Sequence, residues 1–458
     1  MITHTVSKKE VCGANYRFDA GYHLSDGVTI RRNISKAPYS TMKVSEATEK
    51  IFYGLRANRV YVSKKDHALP FMTGANIMLS DLSNTKLVSK KYTPEIEEMT
   101  LHSDWILITR SGTVGLTAWS NKLYEGKYGS EDIIRVIPNN KIKAGVLYAF
   151  LASKYGYSLL TQGSFGAVIQ HIEPNFVGNI DIPILPSDLQ SNIDVLVRES
   201  AKLREVAAKA LNDAKQILKD FIHVQYDHNN YKTGVVSSKD IWNSLQHRLD
   251  PPALINDGVL AMKEITERLS HSTIGAINAK VSRPGIFKRN YVADGIPYIK
   301  GSEIFLNNPF RRCEHLSRTR TPFIDEMTLF EGQILITCAG SVGNIKIITK
   351  EYEDKKAIGS QDIIRLVSTD KLYTREYLFT YLQMPFVFDY IQSMKYGSVI
   401  ERIEPFHVES IPVVTPTEEI SVEISTSIKR YMDCTYQAFN AEEKAITMIE
   451  EEIAKWNK

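Results

Sequence analysis

Two stretches of the chain carry apolar residues at a helical period over an unusual length. From Ser187 glycine and proline disappear until Gly234, and apolar side chains return at Ile193, Leu196, Val197, Leu203, Val206, Ala210, Ile217, Leu218 and Phe221. Spacings of three and four place them on one face of an amphipathic helix, with Ser187 or Asp188 as its N-cap. The second stretch follows Pro416 and Thr417 and runs Ile420, Ile424, Ile428, Tyr431, Met432, Thr435, Phe439, Ile446, Ile449, Ile453 and Trp456. Each pattern predicts a helix of about 36 residues, roughly 54 Å long. One small domain cannot cover a stripe of that length, so the two helices are expected to pair as a coiled coil.

The rest of the chain has a different rhythm. Short β-rich runs end at glycine turns: Leu107-Ile108, Ile133 to Ile137, Ile334 to Ile336 and Ile363 to Val367. Gly145 to Leu160 and Thr374 to Ile391 read as helical, and their many Tyr, Leu and Phe residues read as core. The expected class is α+β, with mixed α/β parts separated by long helices.

These parts are repeated. Trp105 to Gly115 (WILITRSGTVG) answers Gln333 to Gly343 (QILITCAGSVG), and Ser130 to Arg135 (SEDIIR) answers Ser360 to Arg365 (SQDIIR). Gly166 to Pro174 (GAVIQHIEP) answers Gly397 to Pro405 (GSVIERIEP), Pro70 to Ile77 answers Pro297 to Ile304, and Tyr16 to Asp19 answers His247 to Asp250. Five blocks in one order at an offset near 230 make the chain a tandem duplication. A period this long means whole domains, not a solenoid. The predicted division is 1–186, a long helix at 187–230, 231–416 and a second long helix at 417–458. Internal two-fold symmetry makes the helix pair antiparallel.

Charge sharpens this division. The total is only +3 over 458 residues, but 1–186 carries 22 Lys+Arg against 16 Asp+Glu, and 231–416 carries 23 against 21. The helical connectors lean the other way, at 6 against 7 and 5 against 9. Basic globular parts with interleaved aromatics suit a polyanion, and ordinary solvated surface is the plainer alternative. No apolar run is long enough to span a bilayer, and the first residues have no signal-peptide core. Cys12, Cys313, Cys338 and Cys434 are scattered, so free thiols are expected and a structural metal site is not.

The order of basic domain, Ile-Pro exit closed by a second proline (IPILP at Ile182 to Pro186, IPVVTP at Ile411 to Pro416) and long helix, repeated once, resembles the specificity (S) subunits of Type I restriction-modification systems. The blocks that carry the resemblance are Arg17/Asp19 and Arg248/Asp250, Pro70-Phe71-Gly74 and Pro297-Tyr298-Gly301, the ILIT-x-x-Gly-x-Val-Gly turn, and the Gly-x-x-Ile-x-x-Ile-x-Pro approach to each helix. It covers nearly the whole chain. The resemblance implies two target-recognition domains, each reading half of a split double-stranded DNA site. It also implies a pseudo-two-fold helix pair that docks methyltransferase subunits and, beyond them, motor-nuclease subunits, in a prokaryotic cytoplasm. S-adenosylmethionine and ATP would then belong to partner subunits, with no cofactor or metal on this chain.

Candidate DNA contacts are polar turn residues at which the two copies differ inside a shared frame. In copy one these are Arg110, Ser111, Thr113, Gln162, Ser164, Phe165, Gln170 and His171; in copy two, Ser341, Lys395, Tyr396, Ser398 and Arg402, with Glu401 beside them. Arg17/Asp19 and Arg248/Asp250 read as structural ion pairs or caps. Catalysis by the chain itself has little support. The DPPA at Asp250 lacks the aromatic of an adenine methyltransferase loop, and no GxGxxG or GK[ST] loop is present. Glu442, Glu443 and Lys444 read as a solvated helix face, and His223 and His228 as helix-end histidines.

Overall fold

The computed structural model describes residues 5–456 except 14–15, 57–58, 63–66, 84, 94–95, 140, 165–169, 225, 227–233 and 244–245, which leaves Phe165 and His228 outside the described residues. Packing resolves the chain into two units. Unit one runs up to Glu205 and resumes at Gln437, and unit two is Val206–Tyr436. Each long helix is therefore shared: Ser187–Ile222 gives its first half to unit one and its second half to unit two, and Glu418–Lys455 does the reverse. That exchange of halves is what antiparallel pairing of the helices produces. In unit one, Ile193 and Val197 share a core with Ala445, Ile446, Ile449 and Ile453. In unit two, Ala214 and Leu218 share one with Ile424 and Ile428.

Most of the predicted stripe is inside, with one shift of phase. Leu203, Val206, Ile217 and Phe221 are half-buried, while Ala207, Leu211 and Ala214 take inner positions. Glu442 departs from expectation outright. It is buried, accepts from Arg204 Nη2 at 2.7 Å and from the Tyr148 hydroxyl, and so forms an interior ion pair rather than part of a solvated face.

The two units share one topology. Unit one has an antiparallel sheet in the order Thr48–Tyr53, Ile133–Pro138, Ile106–Thr109, Thr117–Trp119. Unit two repeats it as Ala279–Ser282, Ile363–Ser368, Ile334–Thr337, Ile345–Ile347. The central strands are buried on both faces, which is why they read as continuous apolar runs. A smaller sheet joins Ala68–Met72 antiparallel to Lys86–Ser89 and parallel to Tyr128–Gly129. Its counterpart in unit two gains a fourth strand, Tyr291–Val292. A two-stranded ribbon pairs Thr41–Lys43 with Asp181–Pro183, the exit toward the long helix, and His271–Thr273 with Pro412–Val414 repeats it.

The predicted helices at 145–160 and 374–391 are each two helices. The first breaks at Ser153, which caps Lys154–Gln162 by accepting from Gly156 N at 3.1 Å. Gly156 is needed there, because a Cβ would lie 2.1 Å from the Phe150 carbonyl oxygen. The second breaks before Pro385, which opens Pro385–Ser393. The far ends of both pairs lead into the polar loops singled out above.

Candidate functional site

In each unit three devices converge on one loop. The first is the Arg-x-Asp block. Arg17 donates from Nε and Nη2 to the two carboxylate oxygens of Asp19, both at 2.8 Å, and Asp19 also accepts from Tyr22 N to cap Ala20–His23. The bonded Arg17 guanidinium holds the Asp19 carboxyl below its usual pKa. The remaining donors of Arg17 reach the carbonyls of Gln162 and Ser164, 3.4 and 3.2 Å away, at the end of helix Lys154–Gln162. Arg248 repeats this with Asp250 and with the carbonyls of Ser393 and Lys395. A cation is favoured at a helix C-terminus, where carbonyls lack partners. The expected structural pair is thus a clamp that anchors the start of the loop.

The second device is the glycine turn after Ile106–Thr109. Thr109 Oγ1 donates to the Thr113 carbonyl at 2.5 Å and accepts from Leu116 N at 2.9 Å. Gly112 and Gly115 adopt φ of 74° and 84°, as Gly340 and Gly343 do at 73° and 87°. A Cβ at Gly112 or Gly340 would meet nothing within 4 Å, so those positions require glycine for backbone conformation alone. The turn is bridged to the loop by Ser111 pairing with His171 and by Ala339 pairing with Arg402.

The third device is a glutamate held by an arginine, and the copies build it differently. In unit one Arg110 Nη2 donates to Glu173 at 2.6 Å while its guanidinium lies 3.9 Å from the Tyr53 ring centroid. In unit two the corresponding turn residue is the buried Cys338, whose thiol burial pushes up to about 11. There Arg283, just past the strand end that corresponds to Tyr53, donates from Nη1 to both oxygens of Glu404 at 2.9 and 2.8 Å. The carboxylate is constant and the arginine has changed element. The glutamate stands in both Ile-Glu-Pro blocks, a signal that could have pointed to this pair.

The sequence-derived candidates separate accordingly. Thr113, Gln170, Ser341, Tyr396 and Ser398 are exposed on the turns and loops. Ser111 donates its hydroxyl to Asp132, Lys395 pairs with Glu401 at 2.5 Å, and His171 and Arg402 are half-buried in the bridges. Ser164 contributes a carbonyl to the clamp. Two candidates face inward instead. Arg110 is committed to Glu173 and Tyr53, and Gln162, 4% exposed, accepts from Arg31 Nε at 2.8 Å and pins helix Asp26–Ile34. Among the described residues no cluster of three His, Cys, Asp or Glu could hold a metal ion, and no helix is long and apolar enough to cross a membrane.

His407 gives unit two a pH dependence. It is fully buried and stacks on Tyr396 with ring centroids 5.6 Å apart. Its Nδ1 accepts from Glu404 N at 3.0 Å, and its Nε2 lies 2.7 Å from the side-chain amide nitrogen of Gln246. Burial, with Arg248 nearby, pushes its pKa below the ordinary value despite Glu404. The unfolded chain therefore takes up the proton first as pH falls below about 6.5, and folding stability declines there. Phe176 occupies the corresponding place in unit one. Thermal melts between pH 7.5 and 5.5 should show a falling transition that flattens in His407→Phe; an equally steep slope in the variant would refute the assignment.

A family model described as the Type I restriction modification DNA specificity domain matches residues 56–194 and 279–448. No curated protein sequence matches the chain significantly. Among solved structures, the Type-I restriction-modification system S subunit from M. genitalium aligns over 92% of this chain and 96% of its own, at 11% identity and TM-score 0.36. The HsdS subunit from Thermoanaerobacter tengcongensis aligns over 92% and 97%, at 14% identity and TM-score 0.28.

Proposed function

The chain belongs to the Type I restriction-modification DNA specificity family, and from that premise we propose that it reads a bipartite DNA site, one half per unit, while partner subunits carry out the chemistry. The observation that carries this reading is one scaffold presenting different side chains twice. The glycine turn and the bridge that ties it to residue 171 or 402 recur in both units, yet Gln170-His171 stands where the other copy has Glu401-Arg402. A shared frame with different exposed groups is what two readers of different short words need.

In this reading, basic groups meet phosphates and set register, while a few loop side chains reach base edges. The proposed contact set is Thr113, Gln170, His171, Ser341, Tyr396, Ser398 and Arg402, with Ser111, Ser164, Phe165 and Lys395 beside it. Arg110 and Gln162 act behind it, holding the loop. The long helices, shared by both units, fix the gap between half-sites and dock methyltransferase subunits, with motor-nuclease subunits outside them. S-adenosylmethionine and ATP are used on those partners. Mapping methylated bases in bacterial cells that carry the chain with its partner subunits tests this directly. Two short halves separated by a fixed gap are expected; a continuous motif would overturn the two-reader assignment. Binding of the assembled complex should weaken steeply with salt, by about 0.9 in log–log slope per phosphate contacted.

A further inference from the structure

Resting on the DNA reading above, we propose that Val399 and Ile400 form an apolar wedge that contacts the duplex independently of its sequence. The pair sits at the tip of the loop in unit two, 92% and 54% exposed. This tip is held firmly. Tyr396 and Arg402 exchange two backbone hydrogen bonds of 3.1 and 2.9 Å across its base, and Lys395 pairs with Glu401 beside them. Tyr396 stacks on His407 and donates its hydroxyl to Glu404 at 2.9 Å. Gly397 turns the chain at φ 102°, where a Cβ would lie 2.5 Å from the Ile400 carbonyl oxygen. A braced turn thus holds two β-branched side chains out in water. Such side chains are stiff at χ1 and lose little freedom when they insert.

The duplication says what kind of surface they meet. Val168-Ile169 occupies the same place in copy one, although those residues lie outside the described ones. Their neighbours differ between copies: Ala167 against Ser398, Gln170 against Glu401, His171 against Arg402. Groups that differ can distinguish bases. A pair that is the same in both readers must meet something every duplex offers, and a stacked base step is that feature. Charge agrees: residues 164–171 contain no acid, and the single acid of 395–402, Glu401, is neutralised by Lys395, leaving Arg402. Apolar side chains pushed between base steps unstack them and bend the duplex.

The test uses the full chain assembled with its methyltransferase subunits and a duplex bearing the mapped motif, with 2-aminopurine placed in turn along each half-site. Wild type should raise the fluorescence at one step per half. The doubly substituted Val399→Ser, Ile400→Ser chain, with an unchanged melting temperature, should lose the signal in one half only. It should also bind both the motif and a scrambled duplex about tenfold more weakly. An abasic site at the affected step should restore most of that loss, because the unstacking is then already done. Unchanged fluorescence and affinity would overturn the wedge. So would failure of the variant to assemble with methyltransferase subunits while the assembled fraction binds DNA normally, which would make the pair a protein-docking surface. If the wild-type complex binds no duplex at all, the DNA reading itself fails.

Discussion

Arg365→Met should destabilise unit two by about 4 kcal/mol, and Arg135→Met should do the same to unit one. Both guanidiniums are essentially inaccessible to solvent. Arg135 donates to the carbonyls of Ile133 and Gly129 at 2.8 and 2.7 Å, and to those of Ser130 and Met99 at 3.3 Å. Arg365 makes the same set with Ile363, Gly359, Ser360 and Met327. Burial pushes the pKa of each down to about 10, so each stays charged at neutral pH, balanced by peptide dipoles. Their position explains the magnitude. Each sits on a central strand of the main sheet and bonds the short strand that closes the small sheet, Tyr128–Gly129 or Ile358–Gly359, so it joins the two layers. Methionine fills similar volume but leaves several buried carbonyls without donors. Denaturant unfolding followed by hydrogen exchange should show protection lost first in the unit that carries the substitution. Equal protection in both units would remove the joining role.

The second large effect is expected where the long helices meet in unit one. Arg204→Ala strands the Glu442 carboxylate in the interior and should cost about 3 kcal/mol. Burial lowers the pKa of Arg204, but Glu442 beside it raises it further, so the cation is well held. Replacing both partners, as Arg204→Met with Glu442→Leu, should recover most or all of the loss, because an apolar pair has no charge to desolvate. A double-mutant cycle by denaturant unfolding measures this, and additive single losses would show that the two residues act separately. At the helix offset of 230 (Pro186 to Pro416), Cys434 stands for Arg204 and Asn212 for Glu442. The ion pair therefore exists once. One polar layer among apolar ones is a known way to fix which helix faces meet.

Much of the fold is legible in residue spacing, because its cause is local. A 3.6-residue period sets the long helices, and double-sided burial sets the continuous strands at Ile106–Thr109 and Ile334–Thr337. What spacing cannot reveal are partners brought together from far along the chain. Glu442 lies on an acidic stretch, and Arg204, 238 residues away, together with the more distant Tyr148, turns it inward. Gln162 lies beside a loop and reads as a surface amide, but Arg31 and Tyr22 engage it. The SEDIIR and SQDIIR blocks are obvious repeats, yet the role of their arginines depends on carbonyls from Met99 and Met327, more than 30 residues upstream. The candidate site shows the same split. Its turns follow from glycine placement, whereas the inward commitment of Arg110 follows from Glu173 and Tyr53, neither of them near in sequence.

That commitment has an evolutionary consequence. Suppose recombination joined copy one to copy two at a point between the strand and the turn. The chimera would take either Tyr53 with Cys338, leaving the loop glutamate with no arginine, or Arg283 with Arg110, crowding two cations onto one carboxylate. Neither product keeps the loop braced. Exchange of whole units, with crossovers in the long helices, carries each arginine along with its glutamate. The fold therefore permits new pairings of whole units and penalises hybrids within one unit.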